Sequence, residues 1–137
     1  MRRVPAKCGD ELPPERPGPL RLSGSFPARV RATECTLDGT VTVVNHSDLR
    51  VAGLAASRPD VYLLQFNRIV TTPLPRDEVG LQLDLAPGAA RDLAAASSLR
   101  SCSAARLLAP GRYEIRAVLP IVGADPAVGG PWSLDVV

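Results

Sequence analysis

One histidine, His46, three cysteines, Cys8, Cys35 and Cys102, and the adjacent carboxylates Asp77 and Glu78 are the side chains on which catalysis or metal binding would have to rest. A Ser-His-Asp or Cys-His arrangement needs an imidazole held beside its nucleophile. His46 instead lies between Asn45 and Ser47 in a run of turn formers, where a solvated side chain is expected. A metal site needs several His or Cys ligands near one another, and none cluster. Asp77 and Glu78 would point to opposite faces of a strand and read as an ordinary charged loop. Phosphate-cradling patterns of the Gly-x-x-x-x-Gly-Lys or Gly-x-Gly-x-x-Gly type do not occur. Asn45-His46-Ser47 matches the N-glycosylation triplet, a coincidence in a chain with no other sign of a eukaryotic secretory route. The expectation is a protein with no catalytic residues, no metal and no cofactor, hence not an enzyme.

The cysteines bear on compartment instead. Their wide spacing gives no C-x-x-C redox or zinc pattern. Three buried thiols in a cytoplasmic protein are one reading. One disulfide and one free thiol in an exported protein are the other, and the favoured one. Cys8 lies in a proline-rich arm with few means of ordering itself, and Cys102 in a Ser/Arg loop before a strong strand. A Cys8–Cys102 bridge would pin the arm, and closing a loop of that length contributes about 4–5 kcal/mol in the chain-entropy model. Cys35 is then unpaired, or the alternative partner.

The composition narrows the class. At 137 residues the chain suits one domain, which buries roughly two thirds of its unfolded surface. It is 45% hydrophobic but only 4% aromatic, so its core must be built mainly from Leu, Val and Ala. Sixteen basic residues against 14 acidic leave a formal charge of +2, spread along the chain without a basic block, which argues against a nucleic-acid partner. Arg in place of Lys, with abundant Ala and Pro, is the usage of a GC-rich bacterial genome. No run of about 18 apolar residues exists, so direct membrane insertion is not expected. Met-Arg-Arg-Val-Pro-Ala-Lys-Cys has the charged start of a signal peptide without an apolar stretch behind it. Lys7 directly before Cys8 also argues against a lipoprotein cleavage site.

The elements that must carry these residues are strands. Pro5, Pro13, Pro14, Pro17 and Pro19, with Gly9 and Gly18, make residues 1–19 an extended arm ahead of a sandwich domain at 20–137. Leu20 and Leu22 alternate with Arg21, and Ala28, Val30 and Ala32 with Arg29 and Arg31. An Asp38-Gly39 turn is expected to lead into the β-branched run 40–44, which ends at the polar turn 45–48. Residues 61–72 read as a hairpin turning at Asn67-Arg68. Leu81, Leu83 and Leu85 form another strand before Pro87-Gly88. Residues 89–99 are Ala-rich, yet their place between a Pro-Gly turn and a strand favours an edge strand over a short helix. In 112–121, Tyr113, Ile115, Ala117, Leu119 and Ile121 face the core while Arg112, Glu114 and Arg116 face water. Trp132, Leu134 and Val136 close the pattern. Seven or eight short strands between Gly/Pro turns call for an all-β sandwich of two antiparallel sheets.

Gly111-x-Tyr113 entering a late strand resembles the tyrosine corner of immunoglobulin-like sandwiches. Position 115 is Ile rather than the cysteine of antibody domains, so the inter-sheet disulfide of that lineage is missing. The order Val-Thr-Val-Val-Asn-His-Ser (41–47), Leu-Leu-Gln-Phe-Asn-Arg-Ile-Val (63–70), Leu-Asp-Leu-Ala-Pro-Gly (83–88) and Leu-Ala-Pro-Gly-Arg-Tyr-Glu-Ile (108–115) is similar to small bacterial Ig-like domains. It resembles in particular the bacterial intracellular proteinase inhibitor-like domain and exported domains of high-GC Gram-positive bacteria. The resemblance covers roughly residues 38–120 and implies a sandwich without catalytic residues. It transfers no inhibitory site, because no residue here matches one, and the arm and cysteines depart from the intracellular member.

The expected function is a non-enzymatic extracellular or cell-surface module for binding or structure, with a protein partner or self-association. Two alternatives stay open. Pro73, Leu74, Pro75 and Arg76, in the Pro-stiffened segment 71–78, can form a pre-organised partner-binding loop of the proteinase-inhibitor kind. Prolines that merely protect a sheet edge explain the same segment. The arm at 1–19 can also be exchanged between subunits of an assembly.

Overall fold

The computed structural model describes residues 7–12, 18–75 and 79–137. Among these residues there is no helix, and ten strands follow one another: β1 (Leu20–Ser25), β2 (Arg29–Val30), β3 (Thr36–Asn45), β4 (Val51–Ala56), β5 (Asp60–Gln65), β6 (Arg68–Ile69), β7 (Gly80–Leu85), β8 (Ala90–Ser98), β9 (Gly111–Leu119) and β10 (Ala127–Val136). Eight have six residues or more, and β2 and β6 have two each.

The strands form an all-β, Ig-like sandwich. One sheet has the order β1-β3-β8 and the other β2-β10-β9-β5-β6, while β4 and β7 pair with each other. The β4–β7 pair extends the second sheet past the end of β9: the Ala56 amide donates to the Pro120 carbonyl at 3.0 Å and the Val122 amide to Leu54 at 2.9 Å. All strand pairings are antiparallel except that of β2 with β10, which is parallel. That pairing corrects the expectation of wholly antiparallel sheets, and it arises because the first edge of the chain crosses from one sheet to the other after β1.

Period-2 alternation builds the core. Leu37, Val41 and Val43 from β3, Leu83 and Leu85 from β7, Leu93 and Ala95 from β8, and Tyr113, Ile115, Ala117 and Leu119 from β9 meet in one buried cluster between the sheets. Tyr113 closes a tyrosine corner, its hydroxyl donating to the Ala109 carbonyl at 2.7 Å.

Four local expectations change. Asp38 and Gly39 lie within β3, paired with Ala96 and Ala95, and do not turn the chain. Glycine is needed at 39 for close approach, because a Cβ there would run into the Phe26 ring and the Ser25 carbonyl. The hairpin turns at Phe66-Asn67, one residue earlier than expected, with φ of 52° and 63° and Gln65 opposite Arg68. Both central residues are left-handed, the requirement of a type I′ turn. Strand β4 had no sequence signal, since Val-Ala-Gly-Leu-Ala-Ala is poor in β-formers, and its pairing with β7 and residues 121–122 imposes it. Finally, β9 is buried on both faces beyond Ile115. Arg116 is only 8% exposed, and Val118 joins a second cluster on the outer face with Tyr62, Leu64, Ile69 and Leu12.

Candidate functional site

The second cluster explains the arm. Leu12 is buried on the outer face of β5 and β9, so the arm residues that are described lie on the chain's own sheet. Cys8 is bonded to Cys102, with Cα atoms 5.9 Å apart and 94 residues of intervening separation. Beside the bridge, the Gly9 amide donates to the Ile69 carbonyl and the Ile69 amide to Asp10, both at 2.9 Å. The Cys102 amide donates to Val70 at 2.8 Å, holding the other side of the bridge. Arg68 donates to the Gly9 carbonyl at 3.0 Å. Its approach to Glu11, at 3.9 Å between side chains more than half exposed, contributes little. Cys35 is a free, exposed thiol.

The proline segment is anchored at one end. Thr71 is fully buried and its hydroxyl oxygen accepts the Leu63 amide at 3.0 Å. Pro73 is half-buried, while Leu74 and Pro75 are exposed. Arg76, with Asp77 and Glu78, falls outside the described residues.

At 45–47 the structure assigns a packing role. Asn45 is fully buried, and its amide nitrogen donates to Leu49 at 2.8 Å and Leu85 at 2.9 Å. Its oxygen accepts the Ser47 amide at 2.9 Å and the Ser47 hydroxyl at 2.7 Å. All its hydrogen-bonding capacity is used in fixing the loop after β3, which leaves no free amide for a glycan. His46 beside it is exposed. Among the described residues no group of three or more His, Cys, Asp or Glu is placed to hold a metal ion.

The feature that sequence reasoning missed is a cleft. About 500 Å³ opens at the end of the sandwich beside the β4–β7 pair, lined by Leu20, Val51, Gly53, Leu83, Ile121 and Val122 among others. Its cause is local. Val51, Gly53 and Ala55 are the inward positions of β4, and a Cβ built on Gly53 would meet nothing within 4 Å. An inward strand position without a side chain leaves a void beneath it. Most of the lining is apolar, with Asp125 its charged residue, and Val122 at the rim is 46% exposed, so the cleft suits an aliphatic group. The signal was a lone glycine inside a weak strand, which marks close approach or missing packing. At the opposite tip, Phe66 is 92% exposed with a left-handed backbone, an uncommon conformation for a bulky residue.

No family model matches the chain, and no curated protein matches it. Among solved structures, the CARDB domain of a Pyrococcus furiosus protein, crystallised in complex with di-metal ions, aligns over 99% of this chain and 95% of its own with 14% identity and a TM-score of 0.49. A β-glucosidase from Listeria innocua aligns over 85% of this chain with 17% identity and a TM-score of 0.45. This chain spans only 16% of that enzyme's length. The Pseudomonas fluorescens alkylpurine DNA glycosylase AlkC aligns over 86% of this chain and 30% of its own, with 11% identity and a TM-score of 0.46.

Proposed function

We propose that this chain is a non-enzymatic, exported β-sandwich module that binds a protein partner by receiving an aliphatic side chain in the end cleft. The observation that carries the reading is the inward-facing Gly53, which opens an apolar void at a sandwich end where most of the remaining inward positions are filled. Binding a leucine-like group there would bury apolar surface at roughly 25 cal/mol per Å² with little rearrangement of a ladder already formed. The Cys8–Cys102 bridge supports export, because such bonds persist in oxidising compartments. The reading requires no chemistry from His46, which faces solvent.

A capped tetrapeptide with a central leucine tests the cleft. Amide chemical-shift changes confined to 51–53 and 121–127, and lost in Gly53→Leu, are the expected result. Changes spread over the surface, or unaltered by Gly53→Leu, would remove the cleft as the site. Thiol counting under non-reducing conditions tests the compartment. One free thiol is expected, and three would overturn the exported assignment.

A further inference from the structure

Strand β8 has an open edge nine residues long. It pairs with β3 alone among the described residues, in a register that joins Val44 to Ala90 and Thr36 to Ser98. Just beyond its two ends the same register continues in the Asn45 amide donating to Ala89 and the Leu99 amide donating to Cys35, both at 3.0 Å. Hydrogen-bonded and non-hydrogen-bonded pairs alternate in an antiparallel ladder. Between these two fixed ends, Arg91, Leu93, Ala95 and Ser97 therefore bond to β3. The N–H and C=O groups of Ala90, Asp92, Ala94, Ala96 and Ser98 point out from the sheet edge.

The usual defences of an edge are proline, charged side chains (lysine above all), an inward-pointing charge, a bulge or a covering segment. In β8 the charges, Arg91 on the inner face and Asp92 on the outer, are confined to its first three residues. The β8 ladder runs without a register shift, and its sequence Ala-Arg-Asp-Leu-Ala-Ala-Ala-Ser-Ser contains neither proline nor lysine. The Asp92 carboxylate accepts the Thr42 hydroxyl at 2.6 Å, which turns that charge back over its own sheet. Edge β6 is different, since Gly9 and Asp10 already bond to Ile69 there.

We infer that the β8 edge is a self-association surface, which pairs antiparallel with β8 of a second copy about a two-fold axis at Ala94. The strand is self-complementary in that register. Ala90 falls opposite the partner's Ser98, Asp92 opposite the partner's Ala96, and Ala94 opposite its own copy. No like charges face each other. On the inner face Leu93 meets the partner's Ala95 and Arg91 the partner's Ser97, so neither strand opposes a bulky pair. All five outward-pointing residues find partners, giving an antiparallel ladder of about ten hydrogen bonds. The two three-stranded sheets become one continuous six-stranded sheet. This inference is independent of the cleft.

Sedimentation equilibrium and site-specific cross-linking test it. The wild-type mass is expected to rise towards the dimer between about 10 µM and 1 mM, the range of a weak association. Ala94→Pro removes an edge N–H without touching the β3 ladder and should return a monomer with an unchanged far-ultraviolet spectrum. Ala94→Lys sets like charges together at the axis and should do the same, which guards against a folding defect in the proline variant. In a Cys35→Ser background, Ala94→Cys should cross-link under mild oxidation, because Cα atoms about 5.5 Å apart in a hydrogen-bonded pair suit a disulfide. Ala90→Cys should not, since position 90 lies eight residues from its copy, about 27 Å. A wild type that stays monomeric at 1 mM, a dimer that survives Ala94→Lys, or equal cross-linking at 90 and 94 would each overturn the proposal.

Discussion

Strands β6 and β8 are both sheet edges, and the chain treats them in opposite ways. At β6, two residues of strand are closed by Gly9 and Asp10, with Leu12 buried beside them and Cys8 bonded to Cys102. At β8, nine residues of regular ladder carry no cover among the described residues. The closed edge is short and would offer few bonds to an intruder, whereas the open one is long. Protection against chance pairing therefore does not explain where the cover sits. The arm is better understood as completing a second apolar cluster, for which Tyr62, Leu64 and Val118 need a lid, and the edge bonds at Ile69 follow from its route.

The largest way to break this contrast is to cut the clamp. Cys8→Ser with Cys102→Ser is expected to lower unfolding free energy by about 4–5 kcal/mol, read by denaturant titration. It should also speed amide exchange at Gly9 and Ile69, so that β6 comes to resemble the open edge. Leu12→Ala separates the lid from the tether. A loss of about 2–3 kcal/mol is expected if the residue packs as in an ordinary core, whereas an arm held only by its bridge would lose almost nothing.

Tyr113→Phe acts on β9, two strands from β6 in the same sheet, and should destabilise by about 1 kcal/mol through the unpaired Ala109 carbonyl. Burial raises the Tyr113 phenol above its ordinary value. The folded state therefore resists ionisation, and this contribution is full below about pH 10 and is lost as pH rises through the raised value. The wild type should lose stability in that alkaline window more steeply than Tyr113→Phe, as thermal melts across it would show. Phe66→Asn sharpens the comparison at the tip of the closed edge. Asparagine tolerates the left-handed turn, so a gain of about 1 kcal/mol is expected. A gain that also weakens partner binding would assign Phe66 a contact role. Smallest is the effect of Ala94→Pro on the monomer, within about 0.5 kcal/mol, because the open edge has no internal bond to lose there.

Much of the architecture was readable from alternation alone. The runs at 20–22, 40–44, 81–85, 112–119 and 132–136 all became strands, and 89–99 became an edge strand despite its alanines. Errors fell where glycine or a turn had more than one physical use. Gly39 permits close packing under Phe26 rather than a turn, and the hairpin shifted because Asn67, in left-handed geometry, occupies the second turn position and not the first. Of the candidate site residues, Cys8 and Cys102 come together, while Pro73, Leu74 and Pro75 form a surface segment anchored by Thr71. The cleft was invisible because it is an absence of side chain beneath a strand with no strand signal of its own.

By itself, the sequence determined the class of object. Period-2 alternation and frequent Gly/Pro turns point to an all-β sandwich, because alternation and turn chemistry are local properties. Only the tertiary structure decided which edge is covered, which face Leu12 closes, why Arg116 is buried and where a void opens under Gly53. Those outcomes depend on which strands lie side by side across tens of residues, and pairing over such distances is set by the packing of the whole sandwich rather than by any segment.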